Sequence, residues 1–209
     1  MNRIAAVLYD RFVMGAPQEA GLDRLRREAL APASGAVLEI GAGTGLNLAE
    51  YPREGITRLV CTEPSDAMAR QIEAKAGHSP VAPEVVSASA GSLPFPDSSF
   101  DTVTGTLVFC EVPDPPAALA EIARVLRPGG SFCFLEHVRS DEPGLARRQD
   151  RWAPAWKLVS GGCNCNRDTL AAIEGSELEV AEVEQARLPK APSLVRPAIV
   201  GRAVHGPPA

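Results

Sequence analysis

Nine residues, Val37-Leu38-Glu39-Ile40-Gly41-Ala42-Gly43-Thr44-Gly45, limit what this chain can fold into more than any other stretch. Apolar residues around one acid read as a short buried strand, and three glycines on alternate positions break it abruptly. Glycine tolerates positive φ and lets a ligand come close to the backbone. A helix-like segment, Leu46 to Tyr51, follows, so the loop should end at a helix N-terminus with unpaired N–H groups. This is a βα unit whose turn can cradle a nucleotide-like ligand. The spacing is G-x-G-x-G, and Leu46 stands where a dinucleotide fingerprint has its third glycine. A nucleotide site of another kind, or a tight turn with no ligand, stays open at this point.

Eighteen residues beyond Gly45, Glu63 closes the apolar run Leu59-Val60-Cys61. An acid at the tip of a second strand can accept hydrogen bonds from both hydroxyls of a ribose. Ser65 is placed to cap the helix that follows, with Ala67, Met68, Ile72 and Ala76 on its buried stripe. Val85-Val86 reads as a third strand and 101–110 as a fourth with its exit. Asp114-Pro115-Pro116 opens another helix, an Asp cap with proline in the first turn, which Pro128-Gly129-Gly130 should close. Ser131 to Leu135 is a fifth strand that delivers Glu136-His137-Val138 to the same edge as Gly41 and Glu63. Strand and helix thus alternate five times, which predicts a parallel sheet with helices on both faces. Val180–Val183 and Ile199–Val204 supply two last strands across a proline-rich link.

Together these residues resemble the class I S-adenosylmethionine-dependent methyltransferases. Leu93-Pro94-Phe95 followed by Pro96-Asp97-Ser98-Ser99-Phe100-Asp101 is similar to a pattern of their type-11 family. The motifs Leu-Glu-His-Val (135–138), Pro-x-Trp-Lys (154–157), Gly-Gly-Cys (161–163) and Arg-Asp-Thr (167–169) are closest to the branch acting on alkyl thiols and its bacterial relatives. The resemblance implies a Rossmann-like, seven-stranded, mostly parallel α/β sheet whose last strand is antiparallel. It also implies S-adenosylmethionine as cofactor, S-adenosylhomocysteine as product, and a small, apolar methyl acceptor such as a thiol. O- or N-methylation of a natural product or quinone, or non-catalytic binding of the cofactor, are the rival readings.

Carried onto this chain, the resemblance puts the amino-acid end of the cofactor along Glu39, Gly41, Ala42, Gly43 and Gly45, and the ribose at Glu63 and Pro64. Met68, Ser89 and Ala90 fall near adenine, although the family's usual acid is replaced here by Ser89. Thr106 and Leu107 fall near the methyl group, because ligands of such sheets sit at the carboxyl ends of the strands. Tyr9, Phe109, His137, Trp152 and Trp156 are the candidate acceptor contacts. His137 is the candidate general base, its ordinary pKa of about 6.5 suiting that task; the alternative is a structural bond to a loop carbonyl.

Cys163-x-Cys165 offers two metal ligands where a closed zinc site needs four, and His137 and Cys110 join them only if the fold brings them together. The expectation is therefore no metal. All 209 residues read as one methyltransferase domain, with 1–34 a helical cap and 139–169 a substrate-side insert. A net charge of −5, from 26 acids against 21 bases, argues against a nucleic-acid partner. Without a signal peptide or a membrane-length apolar run, and with five cysteines, the chain reads as cytoplasmic. Its oligomeric state is not legible.

Overall fold

The first five strands build a sheet covered on both faces, with its central strands buried over most of their length. In the computed structural model, which describes residues 18–206, they are β1 (Gly35–Ile40), β2 (Ile56–Thr62), β3 (Pro83–Val86), β4 (Phe100–Thr106) and β5 (Leu126–His137). β6 (Leu178–Arg187) and β7 (Pro197–His205) complete a sheet of order β3-β2-β1-β4-β5-β7-β6. β1 pairs in parallel with β2 and β4, β2 with β3, and β4 with β5; β7 runs antiparallel to both β5 and β6. This is the seven-stranded architecture expected. The chain winds outward to β3 and restarts at β4, so its direction switches between β1 and β4, where such sheets open a crevice.

Helices α1 (Asp23–Leu30), α2 (Asp66–Lys75), α3 (Pro115–Val125), α4 (Pro143–Val159) and α5 (Thr169–Glu174) are packed about the sheet. One core joins Leu38, Phe100 and Phe132 to the α3 stripe Ala118, Leu119, Ile122 and Ala123; another joins Val37 and Leu59 to Leu30 and Ile72. A third, at the carboxyl edge, holds Leu135 and Val200 with Cys110, Cys163 and Cys165. No helix among the described residues is long and apolar enough to cross a membrane.

Several local expectations are corrected. Leu46 to Tyr51 is a chain of turns and not a helix, linked by Leu48 N to Gly45 O and Glu50 N to Asn47 O. The reason lies in its side chains: Asn47 and Tyr51 reach inward to the Glu39 carboxylate, which ties the segment by long-range bonds. Ser65 stands at the N-cap of α2, but its side chain makes no capping bond. Asp114 does cap α3, accepting from Ala117 N at 3.1 Å. That helix stops at Val125, before the Pro-Gly-Gly, because Leu126 is already extended and paired with Phe100. β4 ends at Thr106, since Leu107 turns into the left-handed region at φ 56°. The insert carries the 17-residue α4, with Pro154 inside it.

Candidate active site

The glycine loop leaves β1 with Gly41, Gly43 and Gly45 all at positive φ. It is held open by Ala42 N on Thr62 O at 2.9 Å and by the Glu63 carboxylate, which accepts from Gly43 N at 3.0 Å and from Ser65 N at 2.9 Å. A Cβ at Gly41 would stand 2.2 Å from Val108 Cγ2, whereas at Gly43 it would meet nothing within 4 Å. Gly41 is therefore a packing glycine, and Gly43 borders open space. Burial raises the Glu63 carboxyl above its ordinary value, and its two backbone donors pull it back. Each of its oxygens has one protein donor and lone-pair capacity to spare for a hydroxyl. An open-sided glycine turn beside a buried, half-satisfied acid fits an adenosyl amino acid.

Beneath the loop lies a polar network. Glu39, 1% exposed, accepts from Asn47 Nδ2 at 2.8 Å and from the Tyr51 hydroxyl at 2.9 Å. Burial pushes its carboxyl up to about 7, against those two bonds and the charge of Arg26. Thr106 Oγ1 accepts from Arg26 Nη1 at 2.6 Å and from Asn47 Nδ2 at 2.9 Å. Glu39 and Thr106 thus join one hydrogen-bonded network with Arg26, Asn47 and Tyr51 beneath the loop. Arg26, Asn47 and Tyr51 were missed by the sequence reading; an acid inside an apolar strand was the signal that donors had to come from nearby.

Glu63 N bonds Val86 O at 3.2 Å, which sets the tip of β2 beside the exit of β3. Ser89, exposed, follows that exit and its carbonyl accepts from Ser92 N; Ala90 is buried. Met68 is half-buried in the first turn of α2 and Pro64 is exposed.

At the other end, Leu107 N donates to Leu135 O at 2.7 Å, and the Glu136 carboxylate accepts from Val108 N at 2.9 Å and Phe109 N at 3.2 Å. Burial pushes Glu136 up to about 8. Arg167 Nη1 donates to Phe109 O and Val112 O. Phe109 itself is fully buried against Phe132, so it fills core and does not touch an acceptor. Trp152 is 53% exposed on α4, whereas Trp156 is half-buried and packs on the third core. Tyr9 lies outside the described residues.

Asn164 clamps the 161–166 turn onto this exit, its N and Nδ2 donating to Cys110 O at 2.9 and 2.7 Å. The fold thereby gathers Cys110, His137 and Cys163, whose ligand atoms lie within 4.8 Å of one another. His137 Nε2 is 3.2 Å from Cys163 Sγ, and Trp156 Nε1 donates to the same sulfur at 3.3 Å. His137 bonds no loop carbonyl, and its Nδ1 is buried without a partner among the described residues. The bond from Cys110, aided by His137 and Trp156, lowers the Cys163 thiol, while Cys110 is pushed up. Cys165 stands apart, its Sγ toward Gln149 O at 3.9 Å. A cavity of about 840 Å³ opens farther along, between Val138–Leu145, Gln185–Arg187 and Arg196; no residue of the glycine loop lines it.

The family model for a methyltransferase domain matches residues 38–134. The human thiol S-methyltransferase TMT1A is 35% identical over 172 residues, which cover 80% of this chain and 70% of that protein. Human TMT1B is 34% identical over 173 residues, 81% of this chain and 70% of that protein. A solved geranyl diphosphate methyltransferase in complex with SAM shares the fold at TM-score 0.68 and 15% identity, covering 90% of this chain and 85% of that one.

Proposed function

The chain belongs to the S-adenosylmethionine-dependent methyltransferases, and from that premise we propose that it methylates a small thiol. S-adenosylmethionine supplies a methyl group on a sulfonium, a good leaving group that needs alignment more than activation. In this reading Gly41 to Gly45 hold the amino-acid end, Glu63 takes the ribose hydroxyls, Met68, Ser89 and Ala90 border adenine, and Leu107 borders the methyl. The observation that carries the thiol is the likeness to TMT1A, which extends over 70% of that protein.

The acceptor end supports it. Trp156 and the two sulfurs of Cys110 and Cys163 offer a soft, largely apolar surface. A thiol needs its proton removed, and an ordinary thiol pKa of about 8.5 makes that a small task at neutral pH. In this reading His137 takes that role together with Cys163, with which it shares a hydrogen bond. Residues 139–169 would choose among acceptors. The negative net charge disfavours a nucleic-acid acceptor, and five free cysteines favour a reducing, cytoplasmic compartment.

Transfer of a labelled methyl group to a panel of alkyl thiols, phenols and amines tests the reading. Thiols should turn over at least about 100-fold faster than either rival class, a difference of roughly 2.7 kcal/mol in barrier. Methylation confined to phenols or amines overturns the acceptor, and cofactor binding without turnover of any class overturns the activity.

A further inference from the structure

The grouping of Cys110, His137 and Cys163 has the make-up of a metal centre. Its two Sγ atoms and one imidazole nitrogen come from three pieces of chain, the exit of β4, the tip of β5 and the 161–166 turn, and lie within 4.8 Å of one another. The residues are 4%, 4% and 8% exposed. A tetrahedral zinc ion, with Zn–S of about 2.3 Å and Zn–N of about 2.0–2.1 Å, holds such atoms roughly 3.5–3.8 Å apart. Closing from 4.8 Å to that spacing takes shifts on the order of 1 Å. The backbone already holds the pieces together, Asn164 tying the turn to Cys110 O and His137 standing in register with Ala198.

Two thiolates and an imidazole select zinc over the hard cations magnesium and calcium. Three protein ligands with a free position are the arrangement of catalytic zinc, and four close a structural one. Cys165 does not supply a fourth, since its sulfur faces Gln149 O. One further contact points the same way: the Trp156 N–H aimed at Cys163 Sγ is the kind of outer hydrogen bond that orients a metal-bound thiolate.

We propose that Cys110, His137 and Cys163 bind one Zn²⁺ per chain, and that its fourth position takes the sulfur of the acceptor thiol. The fourth ligand rests on the thiol reading above; the three protein ligands do not. On coordination the acceptor S–H gives its proton to water. The sulfur's lone pair then forms the new S–CH3 bond as the donor's methyl–sulfonium bond breaks, and the donor departs as a neutral thioether. Nothing is oxidised or reduced. His137 then serves as a ligand that positions the ion, which takes over the lowering of the thiol's pKa from the imidazole.

The full-length chain, purified reduced and without chelator, should carry close to one zinc by elemental mass spectrometry. Stripped and titrated with Co²⁺ alone, it should develop a thiolate-to-cobalt charge-transfer band. Cys110→Ser and Cys163→Ser should each weaken cobalt binding at least tenfold, and Cys165→Ser should leave it as in the parent, with thermal melts confirming that all three variants fold. Adding an alkyl thiol without methyl donor should shift the cobalt ligand-field bands, whereas a phenol should not. A chain free of zinc, or a cobalt band unchanged in Cys163→Ser, overturns the site. Cobalt bands blind to thiols overturn the fourth ligand. Thiol turnover by a zinc-free chain sinks this proposal and leaves the thiol reading intact. Stoichiometric zinc without thiol turnover upholds the three-ligand site and sinks the thiol reading.

Discussion

Gly43 and Gly41 have nearly the same φ, 58° and 56°, yet one faces open space and the other Val108. Gly43→Ala should cost about 1–2 kcal/mol of stability for the left-handed backbone. It should also cut S-adenosylmethionine affinity at least tenfold, because the new methyl group enters the space of the ligand. Gly41→Ala carries the same backbone strain plus a clash, typically about 1–3 kcal/mol of overpacking, and should melt lower still. Calorimetric titration and thermal melts separate the two; an unaltered affinity in Gly43→Ala places the cofactor elsewhere. These glycines and Glu63 were legible in the sequence because the backbone conformation and the strand tip are local properties. The burial of Phe109 was not. The left-handed turn at Leu107 breaks the alternation along β4, so the residues beyond it face otherwise than a continuing strand would have placed them.

At the scale of elements, the alternating strands and the capped α3 could be read directly, since proline, glycine and apolar runs mark them. Helix α4 was hidden by Pro154 and by its sparse apolar stripe, with only Ala146 and Gln149 buried along 17 residues. Tertiary bonds hold it. Gln149 is fully buried; its Oε1 accepts from Ser140 N at 2.8 Å, and its Nε2 faces the carbonyls of Val138, Cys165 and Leu194 at 2.8–3.1 Å. One amide thus joins the exit of β5, the cysteine turn and the link before β7. Gln149→Met keeps the volume and leaves these groups unpaired, at a cost of about 2–4 kcal/mol. Thermal melting should fall accordingly. Turnover should fall with it, because Val138 and Cys165 flank His137 and Cys163, while cofactor affinity stays near the parental value. A melting temperature equal to the parent's removes Gln149 from the frame.

For the whole molecule, the consequence of building the site at the switch between β1 and β4 is that two carboxyls are buried under it. Glu39 braces the glycine loop and Glu136 braces the exit of β4, and neither is more than 1% exposed. Burial raises them from an ordinary 4.5 to about 7 and about 8. In the unfolded chain both ionise near 4.5, so between that pH and about 7–8 the native state binds more protons than the unfolded state. Stability must then fall as pH rises through this window, and the contribution of these two groups levels off above about 8. The loss is on the order of a few kcal/mol for each carboxyl. Melts at intervals from pH 5 to 9 should therefore decline toward the alkaline side. Glu39→Gln and Glu136→Gln, neutral at every pH, should each flatten the decline, Glu39→Gln mostly below pH 7 and Glu136→Gln up to about 8. A parent whose stability climbs with pH across this range, or a slope untouched in both variants, means that donors such as Tyr51, Asn47 and the Val108 and Phe109 amides keep the carboxylates charged in spite of their burial.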